Sequence, residues 1–280
     1  MTGKIGGTSR LSRLAIHIVL MTGGIMMVLP FVWMVLTSFK TVTESTSLNP
    51  FILFPSDWRI ENYVEVIKQN NFLILYWNTF AMMALRVACA VLFSAMAAYA
   101  FARLRFPGRD LFFGLVLFQM MVPTQIFIIP QYLMVDALHA RNTIFALVFP
   151  GLVSAFGTFL LRQFFMGLPK ELEEAAKLDG CNIGQTFLRV MLPLTRSGLV
   201  ALGIFTALFA FKDLMWPLIV NTRPDAATLS SALAKIQSGY SVKYPELMSA
   251  AVLAIWPMIA IYLVFQKQFI EGIATSGSKL

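Results

Sequence analysis

The sequence predicts an all-α integral membrane protein with six transmembrane helices, on three observations: its composition, its long uncharged runs and the alternation of charge between its loops. Of 280 residues, 58% are hydrophobic and 13% charged, with a mean hydropathy of +0.73. A soluble globular domain carries roughly 25% charged residues. The two cysteines, Cys89 and Cys181, are too few for a disulfide framework or a cysteine metal cluster. His17 and His139 have no metal-ligand spacing, so no metal site is expected.

A helix crossing ~30 Å of hydrocarbon needs about 20 apolar residues, whereas a barrel strand needs about 10 in strict alternation. Residues 14–39, 111–135, 142–161 and 247–266 carry no formal charge; 72–102 contains only Arg86, and 197–222 only Lys212 and Asp213. The expected organisation is an N-terminal segment 1–13, a first span 14–39, a loop 40–71 and a core 72–270, followed by a C-terminal segment 271–280. Within the core, spans fall at about 76–102, 110–135, 142–165, 197–220 and 247–267.

The loops alternate in charge. Those on the side of the termini hold thirteen basic residues against six acids, and those on the opposite side eight against eight. Short basic loops stay in the cytoplasm, so both termini are expected inside and the 40–71 loop on the outer side. The net charge of +8 is then topological, and its dispersal among loops offers no nucleic-acid surface. The first span is longer than a signal-peptide core of about 7 to 15 residues and lacks a small-x-small cleavage pattern, so it is read as retained.

In the 40–71 loop, Ile60, Tyr63, Val64 and Ile67 have helical spacing within 57–69. That suits either a short amphipathic helix at the interface or a solvated connector with a turn of helix. Pro30, Pro123, Pro130, Pro150, Pro217 and Pro257 fall in or beside spans and mark kinks.

The segment 167–195, on the cytoplasmic side, departs from its apolar surroundings. Pro169 opens a helix of about eleven residues, Glu171, Glu173 and Glu174 complement the helix dipole, and Gly180 stops it. A second short segment covers 183–191, with Pro193 closing it. Leu168, Leu172 and Ala175 or Ala176 share one face, so the element docks on something.

Glu174-Ala175-Ala176, three residues, Gly180, nine residues and Val190-Met191-Leu192-Pro193 resemble the EAA signature of inner-membrane permease subunits of binding-protein-dependent ABC importers, with Val190 in place of isoleucine. Tyr99 to Arg103 with Phe106-Pro107-Gly108, the stretch from Phe211 to Leu218, and Gln266 to Gly272 are similar to the six-span, maltose-type branch of carbohydrate importers, although Phe211 and Lys212 replace its tryptophan and asparagine. The resemblance runs from about Phe72 to the C terminus. It implies a type I importer permease fold, with a cytoplasmic coupling helix between spans four and five in which Glu174, Ala175, Ala176, Asp179, Gly180, Leu192 and Pro193 serve ATPase coupling. The partners it implies are a second permease subunit in a heterodimer, two ATPase subunits that bind ATP and magnesium, and a periplasmic solute-binding protein, all at a bacterial inner membrane.

The chain has no Gly-x4-Gly-Lys-Ser/Thr loop, so nucleotide hydrolysis is expected in trans and the chain itself is not read as an enzyme. Intramembrane hydrolase motifs are missing too; a channel or secondary transporter is the rival class, and neither needs a short acidic docking helix. On local physics alone that helix is equally an interfacial element with a solvated acidic face.

A mid-membrane arginine costs about 3 kcal/mol on the insertion scale, so Arg86 should avoid lipid. At ~1.5 Å per residue, Arg86 and Asp213 each lie about 25 Å from the cytoplasmic end of their spans. Arg86 with Asp213 or Lys212 therefore either lines a solute cavity or pairs across spans two and five. Asn78, Gln119, Thr124, Gln125 and Trp216 are the further residues expected along a solute path. For those in spans the alternative is bonding between helices or anchoring at the interface. The solute is expected to be a sugar or oligosaccharide, with an anionic polyol or sugar derivative such as glycerol phosphate as the alternative.

Overall fold

The computed structural model describes residues 10–48, 51–238 and 243–277, with side chains described for 13–48, 51–238, 243–263 and 266. In chain order the helices are α1 (Arg10–Ser38), α2 (Val42–Thr46), α3 (Glu61–Gln69), α4 (Phe72–Arg103), α5 (Arg109–Met121), α6 (Ile128–Ala137), α7 (Ile144–Val148), α8 (Ala155–Met166), α9 (Glu171–Leu178), α10 (Ile183–Gln185), α11 (Leu192–Leu194), α12 (Arg196–Lys212), α13 (Met215–Val220), α14 (Leu229–Gln237) and α15 (Tyr244–Gly277). Short 3-10 turns cover Thr124–Phe127, Phe149–Gly151 and Pro224–Ala226, and a π-helical turn covers Thr186–Met191. The C-terminal stretch Gln266 to Gly272 lies on the α15 backbone, its side chains from Lys267 onward outside the described residues.

Among the described residues, three helices are long and apolar enough to cross a membrane by themselves: Arg13–Ser38, Phe72–Arg103 and Tyr244–Leu263. The other apolar stretches are bent. Arg109–Met121 meets Thr124–Ala137 at 101°, Ile144–Gly151 meets Ala155–Met166 at 50°, and Ile183–Leu194 meets Arg196–Lys212 at 76°. Counting each pair as one span gives up to six. The expected continuous spans 110–135 and 142–165 are therefore each broken; the 76° bend at Thr195 falls just before the expected span 197–220, which is itself interrupted at Asp213 and Leu214, between α12 and α13. Proline explains where helices restart: Pro130 and Pro217 sit in the first turns of α6 and α13, where a missing N–H leaves no bond unmade. Pro30 and Pro257 lie inside continuous helices.

The chain forms two compact units, residues 1–70 with 236–256 and residues 71–235 with 257–280. In the first, the end of α1 is tied down by polar groups. The Ser38 hydroxyl and the Tyr63 hydroxyl share a hydrogen bond of 2.7 Å, and the Ser38 carbonyl accepts from Asn62 Nδ2 at 2.8 Å and Ser249 Oγ at 3.1 Å. Lys40 is fully buried: its Nζ donates to the Ile52 carbonyl at 2.7 Å and lies 4.1 Å from the centre of the Trp33 ring. Burial pushes its ammonium group below the usual lysine range. Of the two readings of 57–69, the structure supports the helix, but it starts at Glu61, four residues later than expected.

In the second unit, α4 packs against α8 and α12. Gly157 permits the close approach: a Cβ there would lie 2.7 Å from Ser94 Oγ and 2.9 Å from a Leu202 methyl. One apolar cluster gathers Met82, Val135, Ala146, Leu147, Val148, Ala210, Trp216 and Val220; the other gathers Ala95, Ala98, Tyr99, Leu161, Phe165, Phe187, Met191 and Leu202. The two clusters underlie the two sites described next.

Candidate functional site

The acidic helix owes its form to its two ends. Helix α9 has no side-chain N-cap, and Glu171, Glu173 and Glu174 occupy its first turn, where aligned peptide dipoles favour negative charge. At the other end, Gly180 N–H donates to the Lys177 carbonyl at 3.0 Å and Cys181 N–H to the Ala176 carbonyl at 2.9 Å, with Gly180 at φ +80°. This is a Schellman cap, whose left-handed residue favours glycine strongly. The helix has eight residues where about eleven were expected, and Pro169 precedes it instead of opening it.

Ala176 faces inward at 5% exposure, whereas Glu174, Ala175, Asp179 and Gly180 are exposed. Leu178, one turn beyond Glu174, is 89% exposed and continues that outward face. The sequence reading missed Leu178 because it placed the apolar face on the opposite, packed side. Beyond the cap, Asn182 and Gln185 form a capping box with bonds of 2.9 Å in both directions. The chain then runs through the π turn into Leu192–Leu194. Pro193 lies in the last turn of this segment, which ends at Leu194 before the 76° bend into α12. Val190 and Leu192 pack on the inner cluster, while Pro193 is exposed. Beneath them Tyr99, Phe165 and Phe187 form an aromatic triangle with ring centres 5.1 to 6.3 Å apart. It joins α4, α8 and the π turn.

The second site lies at the broken helices. Arg86, 7% exposed, pairs with Asp213 at 2.7 Å, and its Nε and Nη2 donate to the Leu147 carbonyl at 2.9 and 2.5 Å. Leu147 is at the C-terminal end of α7, where carbonyls have no helical partner. Trp216 Nε1 donates to the neighbouring Ala146 carbonyl at 2.8 Å. One arginine and one tryptophan thus satisfy the end of α7, and Arg86 also holds Asp213 at the break after α12. Gly151 makes room for this, since a Cβ there would lie 2.9 Å from Arg86 Cγ and Cδ.

Asn78 plays a similar part: its Nδ2 donates to the Asp225 and Ala227 carbonyls, each at 2.9 Å. Of the readings open for Arg86 and Asp213, pairing across helices is the one seen. Asn78, Arg86 and Trp216, expected along a solute path, are in this conformation buried braces with their donors on protein acceptors. Gln119, Thr124 and Gln125 are exposed around the sharp break between α5 and α6, and Lys212 is exposed beside Asp213. Among the described residues, no hydrogen bond or ion pair joins these four to the brace.

The model of the family described as "Binding-protein-dependent transport system inner membrane component" matches residues 90–274, which contain both sites apart from Asn78 and Arg86. An arabinooligosaccharides transport system permease protein of Halalkalibacterium halodurans is 34% identical over 257 residues, covering 90% of this chain and 91% of that protein. An sn-glycerol-3-phosphate transport system permease protein of Brucella suis is 30% identical over 271 residues, covering 94% and 96%. In fold, the chain is similar to a chain of a bacterial ABC transporter involved in the import of the acidic polysaccharide alginate, with a TM-score of 0.79, 22% identity and coverage of 95% and 99%. The rival class of channel or secondary transporter is set aside: the chain belongs to the family of inner-membrane components of binding-protein-dependent transport systems and is a permease subunit of an ABC importer.

Proposed function

We propose that the chain pairs with a second, non-identical permease subunit to import a sugar or oligosaccharide handed over by a periplasmic solute-binding protein. In this reading α9 docks on one of two ATPase subunits, which bind ATP and magnesium, and both termini of this chain lie in the cytoplasm. The observation that carries it is the outward face of α9: Glu174, Ala175 and Leu178 exposed on a helix whose length is set by the Gly180 cap. A carboxylate beside an exposed leucine suits a partner groove with an apolar floor and a cationic or N–H donor at its rim. The sugar class is supported by the named cargo of the relative from Halalkalibacterium halodurans.

Asp179, Leu192 and Pro193 belong to the same docking region. We assign the solute path to the exposed polar residues at helix breaks, Gln119, Thr124, Gln125 and Lys212, with Arg86, Asn78, Asp213 and Trp216 holding the broken helices behind it. A second reading, an anionic polyol or sugar derivative, is favoured by the exposed Lys212 and by the named cargo of the Brucella relative. Calorimetry on the solute-binding protein separates the two: one binds neutral oligosaccharides, the other a phosphorylated solute.

The docking assignment is tested by Gly180→Asp and Glu174→Lys. Both are expected to reduce uptake at least tenfold and to weaken co-purification of the ATPase subunits, with membrane insertion unchanged. Full uptake with stoichiometric ATPase in both variants would refute it.

A further inference from the structure

Arg103 ends α4, and on sequence it enters as a topological charge and as the last residue of the family-like stretch Tyr99 to Arg103. Its side chain is 6% exposed. Nε donates to the Phe165 carbonyl at 3.1 Å, and Nη2 to the Phe165 and Leu168 carbonyls, so the guanidinium closes the open C-terminal end of α8. Glu173 Oε1 on α9 lies 3.5 Å from the same Nε. That oxygen is buried and accepts no hydrogen bond. A buried carboxylate oxygen left unbonded beside a cation is a costly arrangement that a small displacement would relieve.

We propose that Arg103 is the positioning residue that ties the docking helix to the transmembrane helices, with Glu173 as its second acceptor. In the conformation seen, Arg103 Nε–H is given to α8. A shift of α9 toward α4 brings Glu173 Oε1 within hydrogen-bond range and lets it take that N–H, loosening the end of α8 as it does. Movement imposed on α9 is thereby converted into a change at the ends of α4 and α8, which the aromatic triangle of Tyr99, Phe165 and Phe187 holds together. Lysine cannot replace arginine here: it carries the charge but lacks the planar fork that holds the two carbonyls while keeping Nε within reach of the carboxylate.

The inference rests on the reading of α9 as the ATPase-docking helix, and the test separates the two. Arg103→Lys and Glu173→Gln are made in the complete importer, reconstituted with its solute-binding protein. Each is expected to keep stoichiometric ATPase subunits and wild-type amide protection in α9. Each should raise the ATP hydrolysed per solute imported at least fivefold, without changing the concentration of binding protein that half-saturates uptake. Arg103→Lys combined with Glu173→Gln should be no worse than either alone. Wild-type coupling ratios in both single variants would overturn the inference while leaving the docking assignment intact. Loss of α9 protection or of the ATPase subunits in both would also overturn it, by reducing the pair to a purely structural tie. Failure of the docking assignment itself is read from Gly180→Asp, which does not touch Arg103.

Discussion

Arg86 illustrates how a residue that looks like a ligand in sequence becomes a brace in structure. A guanidinium inside an apolar span must meet acceptors, and here they are the Leu147 carbonyl and Asp213. Removing one partner of a buried pair leaves an uncompensated charge, which costs about 3 to 5 kcal/mol. Asp213→Ala is expected near the lower figure, because the Asp213 side chain retains 22% exposure. Replacing both, as Arg86→Met with Asp213→Leu, is expected to recover most of the loss. Thermal unfolding of the purified complex in detergent checks both, and an Asp213→Ala variant as stable as the wild type would show that the pair braces nothing. At this scale the sequence disclosed half of the arrangement. Equal depth along two spans made Arg86 and Asp213 a plausible pair, since helical rise is regular. The Leu147 and Ala146 carbonyls were invisible, because backbone acceptors become available only where a helix breaks, and the break after Gly151 carries no signal beyond a Phe-Pro-Gly tripeptide.

At the scale of the element, α9 was the most legible part of the chain. Acids at its start and a glycine at its end are local rules, and both hold in the structure. Its length was overestimated because proline is tolerated just before a helix as well as in its first turn. The π turn that follows was not legible, since nothing in Thr186 to Met191 distinguishes a wide turn from an ordinary one. Helix α2 shows a different local device. Glu44 accepts hydrogen bonds from the Ser56 hydroxyl, from Thr41 N–H at 2.8 Å and from Ser56 N–H at 3.0 Å, which hold its carboxyl down to about 2. A carboxylate with a depressed folded-state pKa stabilises fully above its ordinary value of 4.5, and that contribution disappears as the pH falls toward 2. Amide protection in Val42–Thr46, the intrinsic exchange rate at each pH divided by the observed rate, is expected to fall over that interval, and Glu44→Gln to remove the pH dependence. Protection factors that are unchanged from pH 5 to 2 in the wild type would contradict this tie between α2 and Ser56.

For the whole molecule, six apolar stretches were readable from composition, because hydrocarbon demands length and lack of charge. That half of them are bent was only hinted at by proline. Bent helices expose carbonyls within the apolar layer, and the molecule answers with Arg86, Trp216, Asn78 and Arg103, each donating to a backbone oxygen at a helix end or loop. Side-chain donors on carbonyls hold such breaks without fusing the helices. In the proposed orientation, the charge asymmetry of the loops puts α9 and Arg103 together on the cytoplasmic side, facing the proposed ATPase subunits.

In the proposed complex the outward face of α9 meets an ATPase subunit. Leu178→Cys, in a background where Cys89 and Cys181 are serine, tests it directly through bifunctional cross-linking in the assembled importer, with a cysteine scan along α1 as the comparison. The expected result is a cross-link from position 178 to the ATPase subunit that changes in yield when ATP is bound. An importer that stays assembled and active, yet yields no such cross-link from position 178 or from Ala175→Cys, would show that α9 does not dock on the ATPase subunit.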